Sequence, residues 1–235
     1  MTDKKSRKLH IPDPGRSRGQ GLIETALLLP VLLIVLSGMV ELGFLLNEYM
    51  ALQDAARNAA RFASDSVYYQ SDNVQNCDLT EDFYRQTACL VNRELSQEKP
   101  VIGLDINNGV DDVIISAFSV EKIDAAGDTG NPRRFPYQTT VGGYIQGGEA
   151  GWSMALDNAA YRQRNQSSRF GNADIQDKLM AGVPNTGWVL VEVFYQYHHK
   201  LGLPWITAFL DNPLTLHIYA VMPLVSAEPT PTPGP

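Results

Sequence analysis

The chain has 235 residues, 44% of them apolar, and a formal charge of −7, which suits one domain of moderate size plus added elements. Residues 1–19 hold six Lys or Arg against Asp3 and Asp13, leaving 13 basic and 24 acidic residues, a balance of −11, for the rest. That acidic body excludes a nucleic-acid binder, because neutralising phosphates takes clustered Lys and Arg.

The basic head ends at Gly19. Behind it, Leu22 to Leu46 is an apolar run of 25 residues, interrupted by Glu24, Pro30, Gly38, Glu41 and Gly43. The two glutamates are 17 positions apart, about 25 Å along a helix. A hydrocarbon layer is roughly 30 Å thick, so both carboxylates can reach its interfaces. A span over about residues 22–46 follows. The Lys/Arg-rich head lies on one side only, which puts the N-terminus in the cytoplasm and the rest outside. A cleaved secretory signal fits poorly, since its apolar core is shorter and ends at a small-residue site. A plain single-span anchor and a prepilin-type signal remain.

A prepilin signal loses only its basic head, by a cut after a glycine on the cytoplasmic side. A cut after Gly19 makes Gln20 the first residue and Glu24 the fifth; Gly21 is a second place for the cut. A glutamate buried among parallel apolar helices is costly, and the new N-terminal ammonium of a neighbouring subunit can pair with it and fix axial register. The competing role for Glu24 is a carboxylate snorkelling to headgroups.

The helix is expected to continue past the membrane, over about Gln20 to Ser64, some 65 Å. The stretch "NEYMALQDAARNAARFAS" has no Pro or Gly and is rich in helix formers. Ala55, Ala59 and Ala63 recur every fourth residue, beside Ala56 and Ala60. Small residues at that spacing let a partner approach closely. Packing on the chain's own head is the simpler use of the stripe, packing between subunits the other. Asp54, Arg57 and Arg61 give a polar face.

From Arg18 to Ser64 the chain resembles the TadE-like proteins, minor pilins (pseudopilins) of the tight-adherence, type IVc pilus system. The matching features are Arg18-Gly19-Gln20, Glu24, Leu28 to Pro30, Glu41 to Gly43, and Ala51-Leu52-Gln53 before the alanines. Thr25 departs from the pattern, which favours an aromatic after the glutamate. A weaker likeness lies in "HIYAVMPLV" near the end. The resemblance implies processing by a prepilin peptidase after Gly19. It also implies packing against other pilin subunits and contact with an inner-membrane assembly platform. The chain would wait in the cytoplasmic membrane among lipid and then move to a cell-surface pilus, for adhesion. The alternative is a membrane-anchored extracytoplasmic binding module that is never processed.

Cys77 and Cys89 are the only cysteines. If this part is exported, an even pair twelve apart reads as a disulfide, with two unpaired thiols as the alternative. "DLTEDFYRQTACLVNRELS" predicts a short helix with Thr80 as N-cap. "INNGVDD" offers an Asn-Gly hairpin turn; its Asp and Asn spacing fits a calcium loop poorly, because the glycine comes one place early and no glutamate follows. "DDVIISAFSVEKI" alternates like a strand, and "RRFPYQTTVGGY" is a poorer one. Residues 141–186 are rich in Gly, Asn, Gln and Ser, with one helix expected near "NADIQDKLM". An excursion this long points to a partner-facing surface. "GWVLVEVFYQYHHK" is the clearest strand and is expected to pair with "LTLHIYAVMPLV" across "LGLPWITAFLDNP". Trp205, Phe209 and Leu210 in that connection are assigned to ordinary core packing, ahead of contact with the stalk or the membrane surface.

No phosphate loop, nucleophile elbow or paired-carboxylate motif stands out, so no enzyme activity or cofactor is expected. His198 and His199 point to opposite faces of a strand, and His217 on the next strand can meet one of them, too few ligands for zinc. Asn165-Gln166-Ser167 matches a glycosylation sequon. The expected fold is α+β: a leader (1–19), a transmembrane and stalk helix (20–64), an antiparallel-sheet head outside the membrane (65–225) and a disordered Pro-rich tail (226–235).

Overall fold

The structure is a computed structural model that describes residues 20–69, 74, 76–97, 102–121, 131–135, 139–141, 144–176 and 186–224. The basic leader with Gly19, and the Pro-rich tail, lie outside the described residues. Helix α1, Gln20–Asp65, is 46 residues long and runs through Pro30, about 70 Å at 1.5 Å per residue. Residues 21–36 of this helix are exposed, and contact with the head begins at about Ser37. Its second half lies against the head, which is built on an antiparallel sheet, so the fold is α+β.

The sheet is formed by β1 (Asp112–Glu121), β2 (Asn131–Phe135), β6 (Thr186–Tyr197) and β7 (Leu214–Leu224), ordered β2–β1–β6–β7. The expected β6–β7 pair is present over its whole length, from Gly187 opposite Leu224 to Tyr197 opposite Leu214. Short β5 (Trp152–Ser153) joins β1 on the edge that β2 leaves open. The poor strand expected after residue 132 is three pieces: β2, and a separate hairpin of β3 (Thr139–Val141) with β4 (Tyr144–Gln146).

Alternation along the strands sorts the side chains by face. Val113, Ile115 and Ala117 of β1, with Val189, Val191, Val193, Tyr195 and Tyr197 of β6, share one core with α1. Against them α1 presents Leu52, Ala55, Ala56, Ala59, Ala60 and Ala63, all buried. The alanine stripe therefore packs on the chain's own head. Small side chains bring the helix close to the sheet, and little room is left between them. Ala59→Leu is expected to force the helix off the sheet and cost about 1–3 kcal/mol, read as a lower midpoint in denaturant for the full chain in detergent.

Helix α2, Phe83–Gln97, packs along α1. Its cap is Asp82, whose Oδ1 accepts from the amides of Tyr84 and Arg85 at 3.0 Å. The expected cap, Thr80, instead takes the Asp82 amide on its hydroxyl and the Gln86 side chain on its carbonyl. A carboxylate gains more than a hydroxyl at the positive end of a helix. Cys77 and Cys89 form a disulfide with Cα atoms 5.6 Å apart, holding the chain before α2 to the helix itself. The "INNGVDD" stretch is not a hairpin turn. It forms a single 3-10 turn, Ile106–Asn108, closed by Gly109 at φ +76°, and links α2 to β1.

Candidate functional site

The apolar half of α1 is the chain's most unusual surface. Leu22, Leu27, Leu32 and Met39 are all more than half exposed, and this helix is long and apolar enough to cross a membrane. Gln20 opens the helix. Glu24, one turn in, is exposed and has no ion pair or hydrogen bond among the described residues. A bare carboxylate on an apolar surface is costly once that surface is taken out of water, unless a cation pairs with it or it is neutralised.

Glu41 is held quite differently. Only 3% exposed, it accepts at Oε1 from the Tyr197 hydroxyl at 2.7 Å and the Lys200 amide at 2.9 Å. The His199 ring nitrogen Nδ1 lies 3.1 Å from the same oxygen, and the Leu201 amide donates to Oε2 at 2.9 Å. The head thus grips the helix through one carboxylate. Two turns on, Glu48 is 2% exposed and meets Lys200 Nζ at 2.6 Å. Burial, with Glu41 and Glu48 nearby, pushes the Tyr197 and Tyr195 phenols well above their usual range, so both stay protonated and can donate. The sequence placed Glu41 at the membrane interface; the structure encloses it in the head. No local pattern signals this, because its partners lie some 160 residues away.

The sheet's other face is covered by the excursion that follows β3. Within it lie β4, β5, α3 (Met154–Asp157) and α4 (Asn172–Gln176), and the short α4 is the helix expected near "NADIQDKLM". The described part of the excursion is held down by buried and half-buried charge. Asp112, fully buried, accepts from the Ser153 hydroxyl at 2.7 Å and the Ala155 amide at 3.0 Å. Arg164 donates to the carbonyls of Ile145, Ala150 and Gly151 and to the Gln146 side chain. Glu192, also fully buried, accepts from the Arg169 amide at 3.0 Å and lies 3.0 Å from His217 Nε2. Arg134 donates to the carbonyls of Glu149 and Phe170. The described part of the excursion is thus spent on covering its own sheet.

The histidines do not meet. His199 goes to Glu41 and His217 to Glu192, while His198 is exposed. Among the described residues no group of three or more His, Cys, Asp or Glu could hold a metal. Asn165 donates through Nδ2 to the carbonyls of Ile106 and Asp111, so a glycan on that nitrogen would break the link between the excursion and the 3-10 turn.

Burial raises the Asp112 carboxyl from 3.8 to about 6, against the lowering pull of Ser153, the Ala155 and Gln166 amides and Arg164. A raised carboxyl means that the folded state binds the proton more tightly than the unfolded one. Asp112 therefore favours folding below about pH 4 relative to above about pH 6, by roughly 2–3 kcal/mol. Asp112→Asn should flatten this part of the stability profile, read as a wild-type-minus-variant stability difference that falls by roughly 2–3 kcal/mol from pH 4 to pH 6.

Residues 19–61 match the family model described as TadE-like protein. No curated protein and no solved structure matches the chain. The match covers nearly all of α1 and stops before the head, so the likeness to TadE-like proteins lies in that segment.

Proposed function

We propose that this chain is the precursor of a minor pilin (pseudopilin) of a tight-adherence type IVc pilus. A prepilin peptidase removes residues 1–19 after Gly19, leaving Gln20 as the new N-terminus. The helix (20–64) is retained as membrane anchor and then as filament core, and the head (65–225) faces outward, followed in sequence by the Pro-rich tail (226–235). The partners are other pilin subunits, the peptidase and an inner-membrane assembly platform. The family match supports an association with pilus components, and the single apolar helix supports a single-pass anchor.

One observation carries the subunit-packing part. The exposed segment of α1, residues 21–36, is mostly apolar and carries one charge, Glu24, which no described residue neutralises. A second chain packed in parallel would bury that surface and bring its own Gln20 ammonium to the carboxylate. In a low-dielectric contact, a hydrogen bond to a charged group is worth about 1.5–3 kcal/mol, tenfold or more in an equilibrium constant.

Glu24→Ala should accordingly leave membrane insertion intact and lower incorporation into filaments by about tenfold or more, measured as the subunit's share of sheared surface fibres. Unchanged incorporation would remove the pairing role of Glu24.

A further inference from the structure

The connection between β6 and β7 crosses α1 inside its apolar run. It carries α5, Pro204–Thr207, and the Trp205 indole N–H donates to the Ser37 hydroxyl at 3.0 Å. Residues 203–210, Leu-Pro-Trp-Ile-Thr-Ala-Phe-Leu, hold no charge. Core packing, the role the sequence suggested for them, is not what they do: Phe209 is 88% exposed, Leu210 48% and Trp205 40%. A mostly apolar cleft, with Ile34, Gly38 and Leu42 of the helix facing Trp205, Phe209 and Leu210 of the connection, runs between the two and also reaches Glu41 with its partners Tyr197 and His199.

Depth along the helix says what covers this patch. Ser37 is 17 residues past Gln20, about 25 Å along the axis, whereas the hydrocarbon layer is about 30 Å thick. With Gln20 at the cytoplasmic interface, Ser37 and the indole bonded to it come to the outer edge of the hydrocarbon. There an amphipathic aromatic ring is favoured. The neighbouring helix residues at that depth, Leu36 and Met39, are exposed as well and need the same apolar cover.

We infer that the 203–210 connection is a membrane wedge: Trp205, Phe209 and Leu210 insert into the outer leaflet beside α1 and seat the head at a fixed depth. The occupant of the cleft is a phospholipid acyl chain. This rests on the single-pass anchor reading. It shortens the fully spanning part of the helix to about Gln20–Leu36 and places Glu41 just beyond the hydrocarbon, inside the head.

The test uses the full chain in vesicles of three parts phosphatidylcholine to one part phosphatidylglycerol, with bromines either high on the acyl chain or near its end. Trp205 fluorescence is taken as the difference between the wild type and Trp205→Phe, which removes the contribution of Trp152 and Trp188. The expected result is strong quenching by the shallow bromines and weak quenching by the deep ones. Trp205→Phe combined with Phe209→Trp, a change at a side chain that touches little, should report the same depth. Resistance of the protein to alkaline extraction from the vesicles establishes helix insertion separately. If insertion holds but Trp205 stays quenchable from water and untouched by either bromolipid, the wedge is wrong and the anchor stands. Shielding that appears only in assembled fibres would give the surface to a neighbouring subunit and equally overturn the wedge.

Discussion

Glu41→Ala should be the most damaging single substitution in the helix, costing about 3–5 kcal/mol. The carboxylate receives the Tyr197 hydroxyl and the Lys200 and Leu201 amides, and it stands beside His199 Nδ1. Truncation leaves those buried donors without an acceptor, which is dearer than losing a hydrogen bond exposed to water. The loss is local in its first effect. The connection after β6 is tied to the helix through Glu41, through Lys200 to Glu48, and through Trp205 to Ser37. Without Glu41 it should lift away and be nicked by protease between residues 198 and 213 before the sheet unfolds. In thermal unfolding of the full chain in detergent, the head transition should fall by roughly 10 °C. Glu41→Gln keeps the shape and one acceptor oxygen but presents an NH2 to other donors, so its effect should be smaller and of the same sign.

Removing the disulfide should come second. The bond joins Cys77 to Cys89 across twelve positions, and closing a loop of that size is worth about 3 kcal/mol in the chain-entropy model. The segment it fastens leads into α2, whose Phe83, Tyr84 and Val91 are in the main core with α1. Cys77→Ser combined with Cys89→Ser should therefore lower the denaturant midpoint without changing the helix insertion. Reductant should lower the wild type to the same midpoint and leave the double variant unmoved. A reductant effect on the double variant would show that the loss arises elsewhere.

Much of this architecture is legible in the sequence, and the legible parts are the periodic ones. Helix α1 announces itself by an apolar run followed by alanines at every fourth position, and the structure carries it from Gln20 to Asp65. Strands β1, β6 and β7 alternate cleanly, and β6 pairs with β7 in the expected antiparallel sense. What the sequence hides is non-local. Glu41 looks like an interfacial carboxylate because its neighbours in the chain are all apolar, and the hydroxyl and amides that bind it come from residues 197–201. The 141–186 stretch looks loose because it is rich in Gly and Asn. Its described part is held by single charged groups, buried Asp112 and Glu192 and half-buried Arg164, whose partners no spacing rule identifies. Gly151, at φ +74° and with β1 where a side chain would stand, is one reason a glycine-rich sequence suits that cover. Trp205 and Phe209 look like core because they are large and apolar, and only the helix depth at which they land suggests another use.

Two carboxylates on one helix thus have opposite circumstances. Glu41 is satisfied within the chain, so it fastens helix to head in a single molecule. Glu24 has no ion pair among the described residues, and the proposed assembly supplies one from a neighbouring subunit. This contrast makes the retained N-terminal helix, beginning one turn before Glu24, the central claim. The most direct measurement is the intact mass, with N-terminal sequence, of the subunit recovered from sheared surface fibres. The expected chain begins at Gln20 and contains all of α1. A fibre subunit that still begins at Met1, or one that starts after the apolar run, near residues 57–64, would contradict it.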